Sequence, residues 1–400
     1  MPSPLDGITV LDLTIWQNGP WATVMLSDMG ANVIKVEDPV NGDPGRASAH
    51  RVANPKAISL YFETMNRNKR SMTLNLKSDE GREVFYRMAA KADVVIQNFR
   101  VGVVERLGVD YETIRKINPR IVYASASGLG DQGPHARDGV FDILGQARGG
   151  FMWANAMPDE DVQYRLYAGI ADQTGAIMLA YGVMAGIVAR ERLGVGQHMQ
   201  TSQLAAQLTL QALALNGHLL LGSFPRTTSR RNATNPLWNT YKCSDGQWVV
   251  IGCIQSDRYW PEFCRGIGAE HLIADPRCVN QAERVKHCTA IIEMLDKIFV
   301  TKSRAEWIEI LKARGVIVGP VQAYHDIPND PQVIANEYVA TLHSPVYGDM
   351  REVGVPVKLS ETPAYPRKPA PQFGEHTEEV LQEFGYTWDE LAGLRERHVI

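Results

Sequence analysis

Apolar and polar positions along the first 130 residues sort into alternating strands and helices. ITVLDL (Ile8 to Leu13) is a near-continuous apolar run, which a strand buried on both faces requires. Residues Pro20 to Met29 suit a short helix with Pro20 in its first turn, and ANVIKVE (Ala31 to Glu37) reads as the next strand. Ser78 followed by Asp79 and Glu80 predicts a capped helix whose apolar face is Val84, Phe85, Met88 and Ala89. ADVVIQNF (Ala92 to Phe99) and RIVYASASG (Arg120 to Gly128) are further strands. Strand and helix in turn at this spacing predict an α/β fold with a parallel, doubly wound sheet.

A long helix rich in Ala, Met, Leu and Gly is expected over Thr174 to Leu193. After Ser223 the pattern changes. PRTTSRRNATNP is basic and turn-rich, and WNTYKCSDGQWVVIGC predicts two short strands about an Asp245-Gly246 turn. Helical periods follow in TAIIEMLDKIFV and SRAEWIEILKARG. The expected organisation is a large domain beginning over 1–215, a smaller α+β domain at 225–330, and a segment at 335–400 that returns to the large domain. A long polar stretch, Asn41 to Arg70, ends in NRNKR; loops of such length are commonly functional.

Composition narrows the class. With 44% apolar and 22% charged residues, the chain has enough apolar side chains for a sizeable core. Lys and Arg number 41 against 45 Asp and Glu, giving −4, and the pI is near 6.2, which argues against nucleic acid as a partner. The start MPSPLDGITVLDL has no basic opening, its first lysine being Lys35, so a secretory signal is not expected. The most apolar stretch, Ala176 to Ala189, falls short of the roughly 20 residues of a membrane span. The five cysteines, Cys243, Cys253, Cys264, Cys278 and Cys288, form no C-x-x-C pair and read as reduced, buried thiols of a cytoplasmic protein. A zinc site with His271 or His287 is the weaker reading.

Candidate chemistry is sparse. Gly128, Gly130 and Gly133 match G-x-G-x-x-G after a strand, but Pro134, His135, Arg137 and Gly139 follow where a helix must open, so no nicotinamide cofactor is expected. Asp172, in RLYAGIADQTGAIMLAYG, precedes the long helix. Its position fits a helix cap. From spacing alone the cap is the default; the sharper reading is a carboxylate nucleophile, since a loop before a helix presents a side chain to substrate. The runs Arg226, Arg230, Arg231 and Arg67, Lys69, Arg70 suit either a solvated surface or a phosphate-bearing ligand.

Seven segments in order resemble one family. They are PLDGITVLDLT, GPWATVMLSDMGANVIKVEDP, NRNKRSMTLNLKSDEGR, ADVVIQNFRVGVVERLG with NPRIVYASASGLG, the Asp172 segment, NPLWNTYKCSDGQW and PQFGEHTEEVLQEFGY. This order is similar to the class III CoA-transferases, the formyl-CoA and carnitine type. The resemblance spans about 5 to 385. It implies a Rossmann-like large domain, a small domain, and two copies threaded as interlocked rings, a homodimer. It also implies that Asp172 attacks an acyl-CoA thioester, passing through an aspartyl anhydride and an aspartyl-CoA thioester to an acceptor carboxylic acid. Water must be kept out, or the group-transfer energy is lost to hydrolysis.

The same resemblance assigns Gln17 as an active-site hydrogen-bond donor, and Leu74, Asn98, Phe99 and Arg106 as the lining of the CoA site. Coenzyme A enters as thioester substrate, and no metal is implied. Asp38 and Gly139 depart, standing where formyl-CoA transferases carry a CoA-binding arginine and lysine. NRNKR is then a candidate to hold the nucleotide end. Two alternatives remain. α-Methylacyl-CoA racemases of the same superfamily place a His before the Asp of DGVFDILGQ, where this chain has Phe141 before Asp142, and Phe cannot exchange a proton. A non-catalytic subunit of a heteromeric transferase would lack the nucleophile.

Overall fold

The computed structural model describes residues 2–47, 59–157, 166, 169–223 and 229–400. Its centre is a six-stranded sheet: β1 (Thr9–Asp12), β2 (Asn32–Glu37), β3 (Arg70–Thr73), β4 (Val94–Gln97), β5 (Val122–Ser127) and β6 (Gln197–Ser202). All neighbours pair in parallel, in the order β3-β2-β1-β4-β5-β6. Successive side chains of a strand take opposite faces, and both faces here are covered. Val10, Val33, Val94 and Val122 join Ala22, Leu26, Leu179 and Val183 in one core. Leu11, Ile34, Val95 and Tyr123 join Phe85, Met88, Val380 and Leu381 in the other. That double burial explains why the strands read as unbroken apolar runs.

The strand order reverses between β1 and β4. The loops that leave their carboxyl ends, Leu13 to Gln17 and Asn98 onward, therefore diverge and open a crevice. Ligands of doubly wound sheets bind at such a switch point.

Two compact units are present. One comprises Met1–Ala154, Gln163–Phe224 and Glu337–Ile400; the other comprises Asn155–Val162 and Pro225–Asn336. In the first, β10 (Val339–Ser344) and β11 (Gly348–Val353) form a hairpin, and the helices Thr377–Glu383 and Trp388–Glu396 close the Leu11 core. In the second, β7 (Trp238–Lys242), β8 (Trp248–Gly252) and β9 (Val318–Val321) form an antiparallel sheet, with Gly246 at φ 77° turning the chain between the first two. Its core holds all five cysteines, each free and buried. Burial pushes the Cys264 thiol up to about 12, so it stays protonated.

Two expectations are corrected. The long helix spans Ile170–Leu193, not Thr174 onward, so Asp172 lies in its first turn and Gly169 is the cap. At 24 residues this helix, among the described residues, is long and apolar enough to cross a membrane, although its core was read as too short. Half of that apolar window is buried in the fold. Arg226 lies outside the described residues.

Candidate active site

The loop after β1 is shaped by buried charge. Asp12, Lys35 and Lys69 are fully inaccessible, and Asp43 nearly so. Lys69 Nζ lies 3.1 Å from Asp12 Oδ2, and Lys35 Nζ lies 2.7 Å from Asp43 Oδ2. Burial alone would raise the Asp12 carboxyl, but Lys69 and Lys35 outweigh it and hold it below the usual range. Burial pushes Lys69 down to about 8 against the pull of Asp12.

These charges grip the loop backbone. Thr14 N donates to Asp12 Oδ1 (2.9 Å), Lys35 Nζ donates to the Thr14 carbonyl (2.8 Å), and Trp16 N donates to Asp43 Oδ1 (3.2 Å). Asn98, at the end of β4, both accepts from Ile15 N (2.9 Å) and donates to its carbonyl (2.8 Å). The loop is thus held with Trp16 at φ 66°, a strained conformation for a bulky residue, which costs on the order of 1–3 kcal/mol. Its ring meets Tyr61 and Phe141 edge-on, with centroids 6.1 and 6.2 Å away.

Around that ring lies a cavity of about 440 Å³. Asp172 and Gln203 line it, with Asn18, Phe99, Arg100 and Phe141. The Asp142 carboxylate accepts from Ala171 N (2.7 Å) and Asp172 N (3.1 Å), satisfying the start of the long helix from outside. This explains why the helix begins earlier than its own sequence suggests. Burial, then the nearby Asp142 charge, push the Asp172 carboxyl up to about 7, against a hydrogen bond from Gln203 Nε2 to Asp172 Oδ1 of 2.5 Å. Asp172 Oδ2 has no hydrogen-bond partner among the described residues. A carboxylate so placed is both nucleophilic and titratable near neutrality.

Gln17 is buried, and its Oε1 accepts from the Tyr61 hydroxyl (2.8 Å). Its Nε2 would be 2.5 Å from a Cβ at residue 169, so Gly169, at φ 71°, brings Gln17 against the start of the Asp172 helix. Asn18 Nδ2 donates to the Asp172 carbonyl (3.2 Å) and would be 2.1 Å from a Cβ at residue 175, so Gly175 lets the two helices touch.

A second cavity, of about 420 Å³, shares Ile15, Phe99 and Val103 with the first. Leu74 and Arg106 line it, with Lys77 and Asp38. Asp38 pairs with Lys77 at 2.9 Å, so a cation stands beside it at this cavity. Arg100 crowds Gly139: its Nη2 would be 2.8 Å from a Cβ there. A guanidinium thus lies against the Gly139 backbone.

The NRNKR run does not serve as a phosphate clamp. Arg67 pairs with Asp28 at 2.7 Å, Lys69 with Asp12, and Arg70 with Glu379 and Glu383 at 2.9 and 2.7 Å. Arg67 and Lys69 are paired inside the fold, and Arg70 is paired at its surface. Sequence reasoning missed Gln203, Asp142, Tyr61, Lys77 and Arg100. Only the two cations carried a visible signal, as basic residues just after β3 and β4.

The switch-point crevice thus holds a buried carboxyl raised toward neutrality, with arginine and lysine lining the adjoining cavity. Residues 5–377 match the model of CoA-transferase family III. The chain belongs to that family and is a class III CoA-transferase, an enzyme of CoA thioesters. It is 34% identical to an acetyl-CoA:oxalate CoA-transferase of Acetobacter aceti, over 95% of this chain and 96% of that one. It is 33% identical to a formyl-CoA:oxalate CoA-transferase of Streptomyces avermitilis, over the full length of both. Among solved structures, a CAIB/BAIF family protein from Brucella suis superposes with TM-score 0.86 at 28% identity, covering 96% of this chain and 100% of that one. Rv3272 from M. tuberculosis does so with TM-score 0.81 at 27% identity, covering 94% and 99%.

Proposed function

We propose that the protein moves CoA from an acyl-CoA donor to a carboxylic acid through covalent steps on Asp172. The observation that carries this reading is the Asp172 carboxyl itself: one oxygen is held by Gln203, the other has no partner among the described residues, and the cavity it lines shares Ile15, Phe99 and Val103 with the one lined by Arg106 and Lys77. In its ionised form the unpaired Oδ2 adds to the thioester carbonyl and expels CoA thiolate, leaving an aspartyl anhydride. The thiolate attacks the aspartyl carbon and the donor acid departs. The acceptor carboxylate then runs the same two steps in reverse. No net proton is consumed, so no partner base is required. Gln17, fixed by Tyr61, is proposed to donate to the substrate oxygen as it gains charge.

Leu74, Phe99 and Arg106 are proposed to line the path of the CoA moiety, with Arg106 facing phosphate. Asn98 lines the adjoining first cavity and also clamps Ile15, and is proposed with them. The oxalate transferases among the relatives favour a small, polar acid as one substrate. Phe141 speaks against racemisation, since an aromatic ring faces the cavity where a second base is needed.

A cytoplasmic homodimer of interlocked rings completes the proposal. Its support is the helix Ala212–Leu221, which leaves Leu213, Leu219, Leu220 and Leu221 exposed, apolar side chains that a partner copy would cover. Light scattering would give the mass of two chains, and a monomer would refute it. For the chemistry, incubation with acyl-CoA thioesters and hydroxylamine should leave a hydroxamate on Asp172. An Asp172→Ala protein that still transfers CoA would overturn the mechanism.

A further inference from the structure

We propose that Gln203 is a catalytic residue, the oxyanion donor for the steps that occur at the Asp172 carbonyl carbon; this rests on Asp172 being the nucleophile. Gln203 opens the helix Gln203–Leu210, directly after β6, and is buried. Its Nε2 donates to Asp172 Oδ1 at 2.5 Å. Its Oε1 is buried with no partner among the described residues, so the amide acts there as a donor. An unpaired buried acceptor costs on the order of 1–3 kcal/mol, and Gln207 Oε1 on the same helix shares that state, so what sets Gln203 apart is the target of its N–H, the Asp172 carboxyl. Gly145 makes the room: a Cβ there would lie 2.9 Å from Gln203 Oε1 and 3.2 Å from Gln203 Cβ.

The chemistry divides between two carbonyls. In the first and last additions negative charge develops on the substrate's acyl oxygen. In the two middle steps it develops on Asp172. CoA thiolate bonds to Cγ of the anhydride and the Cγ=O electron pair moves onto Oδ1. Collapse restores that pair, breaks the Cγ–Oδ2 bond, and releases the donor acid as its carboxylate. The acceptor carboxylate then bonds to Cγ of the aspartyl-CoA thioester, Oδ1 again takes the pair, and collapse expels CoA thiolate. Oδ1 is therefore the atom on which both middle transition states place charge, and Gln203 Nε2 already points at it. The neutrality of the donor matters. An arginine or lysine here would lock the carboxylate in an ion pair and blunt its attack, whereas an amide binds Oδ1 weakly at rest and more strongly as charge grows.

The test uses Gln203→Met, of similar length without an N–H, and Gln203→Ala, each checked for undiminished acyl-CoA binding by calorimetry. Transfer kcat should fall about 100-fold, the usual loss of one oxyanion donor. Acid-quenched samples in steady state should carry more covalent adduct on Asp172 than the parent enzyme, because exit is slowed and entry is not. A structural role would not raise adduct occupancy. Turnover at the parent rate overturns the inference, as does adduct that falls along with kcat. The two ideas fail separately. Adduct on Asp172 in the parent with unaffected variants removes only the role of Gln203. Full transfer by Asp172→Ala removes the nucleophile.

Discussion

A nucleophilic carboxylate held out of water should weaken the fold in a pH-dependent way, and Asp172→Asn measures by how much. Burial and Asp142 raise the Asp172 carboxyl from 3.8 to about 7 in the folded protein. A raised carboxyl favours the protonated fold, so stability is lost as pH climbs from the unfolded value to the folded one, and the loss is complete above it. The interval amounts to about 4 kcal/mol at ~1.4 kcal/mol per decade, and at pH 5 only about 1.6 kcal/mol of it has developed. Asparagine cannot ionise, and its carbonyl can still accept from Gln203. The variant should therefore be more stable than the parent, with a gap that widens from pH 5 to pH 8.5. For 400 residues, with an unfolding entropy of ~2.1 cal/mol/K per residue, about 4 kcal/mol corresponds to about 5 °C at the higher pH. Scanning calorimetry of both proteins at the two pH values reads the difference. A gap that does not change with pH, or a less stable variant at pH 8.5, would refute the reasoning.

The same carboxyl should govern catalysis: kcat/KM should rise through about pH 7 as Asp172 ionises, and Asp142→Asn should move that limb to lower pH by removing a neighbouring negative charge. A profile flat from pH 5.5 to 8.5 would contradict this. Lys35→Met should destabilise by about 3–5 kcal/mol, because it strips the buried Asp43 and Asp12 carboxylates of a counter-ion, and a thermal melt within 1 °C of the parent would be the contrary result. Arg106→Ala should raise KM for CoA thioesters about tenfold with kcat largely kept, since it removes a phosphate contact of about 1–2 kcal/mol and nothing at the reacting atoms. Steady-state kinetics with a CoA thioester and its shorter N-acetylcysteamine analogue separate the two, and only the CoA substrate should respond.

Local signals carried the strands because each is buried on both faces, so its own residues declare it. The Ser78 cap was legible for a similar reason: its acceptor and the Gly81 N–H it receives are three residues apart. The start of the Asp172 helix was not, because the carboxylate that satisfies its first N–H groups comes from Asp142, 30 residues earlier. NRNKR read as a solvated or phosphate-facing run because Lys and Arg are normally exposed. Its partners Asp12, Asp28, Glu379 and Glu383 are distant in the chain, and only the fold brings them together. Asp172 itself became a candidate through resemblance, since a lone Asp near a helix start is usually a cap. What the structure adds is its setting: an oxygen without a partner among the described residues, a neighbouring carboxylate, and an amide donor contributed by the segment after β6.

The account stands or falls on whether an oxygen of Asp172 is exchanged during turnover. Supplying the acceptor acid with both carboxylate oxygens as 18O tests this directly. If the acceptor forms an anhydride with Asp172, one of its oxygens stays on the aspartate when the new acyl-CoA leaves. Peptide mass spectrometry should then find the Asp172 peptide heavier by one 18O-for-16O exchange, and the acid released in the next turnover should carry the label. Complete transfer of CoA with unlabelled Asp172 would contradict the covalent mechanism.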